Sequence, residues 1–286
     1  MAPCAWPPGR VLDLTRLLPG PLAGKLLRDL GFPVLKVEPP QGDPLRDWAP
    51  ETYAFLNGNK EVVTLDLKGK EGRERFLSLL PEAVILLESN RPGAMERLGL
   101  GPEALLRVNP RLVYARLRGY PDSPDPGHDL TYLAEAGLLG RFPWQSFQFA
   151  DLAGAYALAL AALKGLLLGG GVYEVALSEA VKAMAYPPIP FLDGSALCYG
   201  VYPAREGRVA LAALEPHFWA WFCEAAGLPE LLPLAFSPAE PGNPGYQRLR
   251  AFFQGKAAWE WEAWAREKGI PLRAVRGYTL SSCFVL

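Results

Sequence analysis

Apolar and polar residues fall in short blocks along the first two thirds of the chain. Residues 9–14 (GRVLDL) form a brief apolar run ending at Asp13 and predict a strand. A Pro19-Gly20-Pro21 turn follows, and residues 22–32 (LAGKLLRDLGF) then place apolar side chains at helical spacing with Gly31 as the stop. Strands are predicted over 33–40 (PVLKVEPP), 61–68 (EVVTLDLK), 82–89 (EAVILLES) and 112–120 (LVYARLRGY), with a helix from about Glu71 to Leu80. A long apolar helix runs from Asp151 to about Leu168 and is broken by three glycines at 169–171. VYEVAL (172–177) predicts another strand and SEAVKAM (178–184) another helix. Strands alternating with helices imply an α/β fold built on a mostly parallel, Rossmann-like sheet covered on both faces.

The pattern changes near Pro187. PPIPFLDG (187–194) reads as a linker, GRVALAAL (207–214) as a strand, and residues 216–227 and 246–269 as two helical stretches that hold five of the eight tryptophans. These features place a domain boundary near residue 190, with a large domain over 1–190 and a smaller α+β domain over 191–286. The last eleven residues (RGYTLSSCFVL) carry one charge and no helical period, unlike the rest of the chain.

Composition narrows the function classes. Twenty-nine basic residues stand against 30 acidic ones, without the basic excess that a nucleic-acid binder uses against phosphates. Half the residues are apolar and 21% charged, enough for a sizeable core. Gly and Pro number 29 each and are scattered, so they punctuate loops. Arginine outnumbers lysine by 20 to 9, which with the Pro-rich loops points to a thermophilic source. The four cysteines show no CxxC spacing and no secretory pattern precedes them, so neither disulfides nor zinc are expected and a cytoplasmic setting is. The most apolar stretch, Leu152 to Leu163, is too short for a bilayer that needs about twenty residues, so it is expected to be a buried helix and no membrane partner is expected.

Familiar fingerprints are missing. The first strand leads into TRLLPGPLAG rather than GxGxxG, and no GxxxxGK[ST], HExxH or GxSxG occurs. Dehydrogenases, P-loop enzymes, zinc proteases and serine hydrolases are thereby set aside. With only His128 and His217 as histidines, no metal site is expected.

Two titratable features remain. His128 and Asp129 follow the loop PDSPDP and precede a helical pattern. The plain reading is a solvated loop histidine beside a helix-capping aspartate; the functional one is a base with an imidazole suited to proton transfer near neutrality. Asp151 opens the apolar helix, either as a simple N-cap or as a catalytic carboxylate whose ionised form the helix dipole favours. Lys60, Lys68, Arg91 and Arg97 lie near the ends of the early strands, either merely solvated or facing a polyanion in the loops where an open α/β sheet binds ligands.

Taken together, the segments resemble the family III CoA-transferases, and within them the alpha-methylacyl-CoA racemase branch. RVLDLTRLLPGPLAGKLLRDLGFPVLKVEPPQGDPLR, FLNGNKEVVTLDLK and ESNRPGAMERLGLGPEALLRVNPRLVYARLRGY are similar to the family's successive signatures. GHDLTY at 127–132 resembles the racemase GHDxxY motif, ADLAG matches the shared catalytic aspartate, and ALEPHF resembles a racemase segment where transferases tend to carry a glycine-rich loop. The resemblance implies His128 and Asp151 as two bases flanking the substrate α-carbon, with Asp129 and Glu215 in support. It implies that Leu65, Asp66, Leu67, Lys68, Ser89, Asn90, Arg91 and Arg97 line a CoA groove, and that Gly127 to Tyr132 meet the thioester end. It further implies an acyl-CoA thioester substrate, no cofactor beyond the CoA that substrate carries, no metal, and an interlocked homodimer.

The resemblance leaves three activities open. They are racemisation of 2-methylacyl-CoA, CoA transfer through an aspartyl anhydride, and CoA binding without catalysis by an impaired paralogue. Where many members carry an arginine just after the second strand, this chain reads KVEPP, with Pro39 and Pro40. Similar proteins continue past GIPLRAV and return to the large domain, so a shortened C-terminus is expected here.

Overall fold

The computed structural model describes residues 8–121, 123–139, 147–185 and 192–276. The chain forms two compact units, divided at 186/187. Most of the expected linker and the distinctive last ten residues lie outside the described residues.

The first unit runs through β1 (Arg10–Asp13), α1 (Pro19–Asp29), β2 (Val34–Glu38), α2 (Leu45–Trp48), α3 (Pro50–Asn57), β3 (Glu61–Thr64) and α4 (Lys70–Ser78). It continues through β4 (Ala83–Glu88), α5 (Ala94–Arg97), α6 (Pro102–Val108), β5 (Val113–Arg118), α7 (Asp129–Glu135), α8 (Phe149–Leu168), β6 (Gly171–Ala176) and α9 (Leu177–Met184). Its six strands are all parallel and lie in the order β3-β2-β1-β4-β5-β6. That is a doubly wound order, with a switch point between β1 and β4.

Both faces of the four inner strands β2, β1, β4 and β5 are buried because successive strand positions are apolar on either side, while the edge strands β3 and β6 stay largely exposed. Val11, Ile85, Leu87, Val113 and Ala115 pack with α1 and α8 residues such as Leu27 and Leu158. Leu12, Leu86 and Tyr114 face the opposite core with Phe76, Met95 and Leu105. The fold expectation of a parallel sheet covered on both faces therefore holds.

The second unit contains β7 (Tyr199–Pro203), β8 (Arg208–Ala212), α10 (Pro216–Ala226), α11 (Pro244–Phe253), α12 (Ala258–Glu267) and β9 (Leu272–Ala274). Its strands form a three-stranded antiparallel sheet in the order β7-β8-β9. Trp219, Phe222, Phe253 and Trp261 fill its core beside Val209 and Leu211.

Several expectations need correction. The helical stretch 246–269 is two helices, because the chain turns at Gln254–Ala257 and Glu260 then caps α12 by accepting the Ala257 N–H at 2.7 Å. Helix α1 begins at Pro19, where the missing N–H costs nothing. Helix α8 spans 20 residues, close to the expected run from Asp151 to about Leu168, and by length and composition alone it could cross a membrane although its most apolar stretch is only twelve residues long. Its Ala and Gly face packs on the sheet, yet Leu160 is 66% and Leu167 83% exposed, so it is only half a buried helix.

Candidate active site

The carboxyl ends of the strands carry buried charge. Asp13, Glu38, Glu88 and Arg118, the last residues of β1, β2, β4 and β5, are all buried. Each is matched, since a buried lone charge would be heavily penalised. Lys60 Nζ donates to Asp13 at 2.8 Å, and Arg46 and Tyr53 donate to Glu38 at 2.9 and 2.7 Å. Arg116 donates to Glu88 at 2.9 Å, and Arg118 to Glu174 at 3.2 Å. Burial alone would raise the Asp13 carboxyl, but Lys60 and Lys36 hold it below its ordinary value. Lys60 is thus neither a solvated cation nor a ligand-facing one. It is a structural partner of a strand 47 residues earlier.

Above the carboxyl ends of β1 to β4 lies a cleft of about 360 Å³. Leu14, Val37, Pro39, Pro40, Leu65, Leu67, Met95 and Leu98 give it apolar walls, and Arg16, Gln41, Asp66, Lys68 and Asn90 supply polar groups. Glu38 also reaches it, already neutralised by its own partners. Asp66 shapes the rim by accepting the Lys68 N–H at 3.0 Å. Asn90 is held by its N–H to Glu88 at 2.7 Å and its carbonyl to Arg118 at 2.8 Å. This is where an open α/β sheet receives ligands.

A second group of polar residues stands over β5 and β6. Helix α8 leads through Gly169 and Gly170 straight into the start of β6, so its C-terminus lies at the amino end of the sheet. Twenty residues at 1.5 Å each carry its N-terminus about 30 Å back, to the carboxyl end. There Asp129, from the start of α7, accepts the N–H groups of Ala150 and Asp151 at 2.7 and 3.0 Å. These are two first-turn donors that the helix itself cannot satisfy. One carboxylate thus staples α7 to α8 and brings the segment of His128 up to the segment of Asp151.

Asp151 is therefore not the N-cap. It is the third residue of a helix preceded by Gln148, and its cap comes from Asp129. Nor is its ionised form favoured. Burial, and then the charge of Asp129, push its carboxyl up to about 7, outweighing the helix dipole. Burial also raises the Asp129 carboxyl, although the Asp151 and Ala150 N–H groups oppose this.

His128 is the N-cap residue of α7, with its backbone N–H donated to the Thr131 hydroxyl at 3.1 Å and its side chain exposed. Tyr132 is buried, and it passes so close to Gly127 and Gly119 that a Cβ would stand 2.5 Å from its ring at Gly127 and 2.5 Å from its hydroxyl at Gly119. Glycine at 127 is thus required by the packing of the tyrosine five residues on.

The structure brings together, in one cleft, Leu65, Asp66, Leu67, Lys68 and Asn90 of the expected groove residues. Ser89 is half-buried beside it, and Arg91 and Arg97 are exposed and do not line it. His128, Asp129, Gly127, Tyr132 and Asp151 form the second group. Glu215 is the exposed N-cap residue of α10 in the second unit. Arg16, Gln41, Met95 and Leu98 were not anticipated. For Arg16 a signal existed, because it sits in the loop leaving the first parallel strand.

A sequence model of CoA-transferase family III matches residues 9–280. A probable fatty acyl-CoA transferase of Mycobacterium tuberculosis is 32% identical, over 91% of this chain and 80% of its own length. An alpha-methylacyl-CoA racemase of Mus musculus is 33% identical, over 81% of this chain and 67% of its own. The crystal structure of a hypothetical protein from Mycobacterium tuberculosis superposes with a TM-score of 0.80 at 32% identity, covering 94% of this chain and 82% of that one.

Proposed function

The chain belongs to CoA-transferase family III, and from that premise we propose that it racemises 2-methylacyl-CoA thioesters by moving a proton at the carbon beside the carbonyl. The observation that carries this reading is the meeting of the His128 and Asp151 segments at Asp129, with Asp151 raised to about 7. Near neutrality such a carboxyl is populated in both its ionised and its protonated form. That balance suits a group that takes a proton in one direction and returns one in the other.

In this mechanism the ionised Asp151 or the neutral His128 removes the α-proton, and the electrons of the C–H bond move into the thioester carbonyl as an enolate. The other group, protonated, then delivers a proton to the opposite face. The enolate oxygen needs a donor, and the first turn of α7 offers backbone N–H groups for it. Asp129 acts on this chemistry through Asp151, by fixing its backbone and raising its carboxyl. The cleft over β1 to β4 receives the nucleotide end of CoA, with Pro39, Pro40, Leu65 and Leu67 as flat apolar walls for a heteroaromatic ring. The exposed stripe of Tyr156, Leu160 and Leu167 along α8 supports the reading of the protein as a homodimer.

A second reading is CoA transfer, in which Asp151 attacks the thioester carbonyl and expels the CoA thiolate, leaving a mixed anhydride. The similarity to a probable fatty acyl-CoA transferase supports it. Incubation of (R)-2-methylacyl-CoA with a labelled free carboxylic acid separates the two. Inversion at the α-carbon with no label in the acyl-CoA pool is expected, and label appearing as a new thioester without inversion would overturn the racemase reading.

A further inference from the structure

The cleft over β1 to β4 has a feature that the expected groove residues leave unexplained. Its lining includes Arg16, an exposed arginine in the loop between β1 and α1. Among the described residues no carboxylate pairs with it, whereas every buried cation along this edge of the sheet is matched. The only other unpaired cation among the lining residues is Lys68, after β3.

The loop around Arg16 is pinned with unusual force. Asp13 accepts the Thr15 N–H at 3.0 Å and is itself held by Lys60. The Thr15 carbonyl accepts from Lys36 Nζ at 2.8 Å, and Lys36 pairs with Asp43 at 3.3 Å, both fully buried. Asp43 in turn accepts the Leu17 N–H at 3.2 Å. Leu17 is the one non-glycine residue with a positive φ, at 64°, among the described residues. A left-handed leucine costs free energy and persists only where its surroundings over-determine it. Two buried ion pairs and a strained residue thus fix the backbone on both sides of one unpaired arginine that points no charge at the protein.

The segment after β2 offers Pro39 and Pro40 to the lining and no positive charge. We infer that Arg16 is the phosphate anchor of this cleft. It grips a phosphate on the nucleotide end of the thioester from the β1 side, with Lys68 opposite, in place of a cation after β2. A guanidinium held in a rigid loop suits bidentate contact with phosphate oxygens, which a neutral or flexible group cannot give. The inference rests on the reading of the cleft as a CoA site.

Calorimetric titration of CoA, 3′-dephospho-CoA and pantetheine tests it, on the wild-type protein, Arg16→Gln and Arg16→Lys. Among the described residues the Arg16 side chain has no hydrogen-bond or ion-pair partner, so both variants should keep the wild-type circular dichroism and Tm. Arg16→Gln should bind CoA about tenfold more weakly or worse, and pantetheine as the wild type does. Arg16→Lys should recover part of the loss. If the loss disappears with 3′-dephospho-CoA, the anchored group is the 3′-phosphate; if it persists, it is the diphosphate. Either pattern supports the anchor. Unchanged CoA binding in Arg16→Gln overturns the inference alone, while a wild-type protein that binds none of the three ligands overturns the CoA reading of the cleft and the inference with it.

Discussion

Replacing Asp151 with asparagine should stabilise the protein while abolishing its proposed activity, and the gain should depend on pH. Burial, and then the charge of Asp129, lift the Asp151 carboxyl from 3.8 to about 7. A carboxyl raised in this way binds its proton more tightly in the folded state than in the unfolded chain. Between those two pKa values the folded state therefore holds the extra proton, and stability falls as pH rises. The span from 3.8 to about 7, at about 1.36 kcal/mol per unit, corresponds to roughly 4 kcal/mol lost above pH 7.5 and to none below the unfolded value. Asparagine keeps the shape of the side chain and brings no charge to desolvate. The stability difference, variant minus wild type, should thus grow by about 2 to 3 kcal/mol from pH 5 to pH 8. Urea unfolding followed by far-ultraviolet circular dichroism, on both proteins at four pH values across that range, measures it. A difference that stays constant with pH, or that shrinks as pH rises, would refute the assignment of a buried carboxyl strained by its surroundings.

Other consequences can be checked separately. His128→Ala should lower α-proton exchange by about 10²- to 10⁴-fold and leave Tm unchanged, since the side chain is exposed. Asp129→Asn keeps an oxygen for the Ala150 and Asp151 N–H groups but removes the charge that helps raise Asp151, so the acidic limb of the pH–rate profile should move to lower pH. Asp129→Ala removes the cap as well and should cost about 1 kcal/mol in denaturant unfolding. Gly127→Ala places a methyl 2.5 Å from the Tyr132 ring and should depress both Tm and activity, whereas Gly137→Ala, where no atom stands within 4 Å, should leave activity near wild type despite its strained φ.

The alternation of apolar blocks was enough to read the parallel sheet, because Val11, Leu86 and Val113 sit in continuous apolar runs that only a doubly covered sheet produces. It was not enough for the second unit, where β7 and β9 are short, and β9 pairs only with a strand some sixty residues earlier. The same limit applies to the site. His128, Asp129 and Asp151 stand out by chemistry, but local pattern makes Asp151 either an N-cap or a carboxylate whose charge the helix dipole favours. The real cap, Asp129, lies 22 residues upstream, and its proximity raises the carboxyl instead. Local pattern leaves Lys60 either solvated or facing a ligand for a like reason, since its partner Asp13 is 47 residues away. The place of Arg16 after the first parallel strand is legible, but the pinning of its loop is not, because that depends on Lys36 and Asp43, which only the folded chain brings together with it.

The most direct test of the central claim is the exchange of the α-proton of a 2-methylacyl-CoA in deuterated water, followed by mass spectrometry with the wild type, His128→Ala and Asp151→Asn. Removal and return of the α-proton by His128 and Asp151 predicts deuterium incorporation at the α-carbon by the wild type and its loss in both variants. Incorporation that survives in Asp151→Asn, or a wild type that binds the thioester without incorporating deuterium, would contradict it.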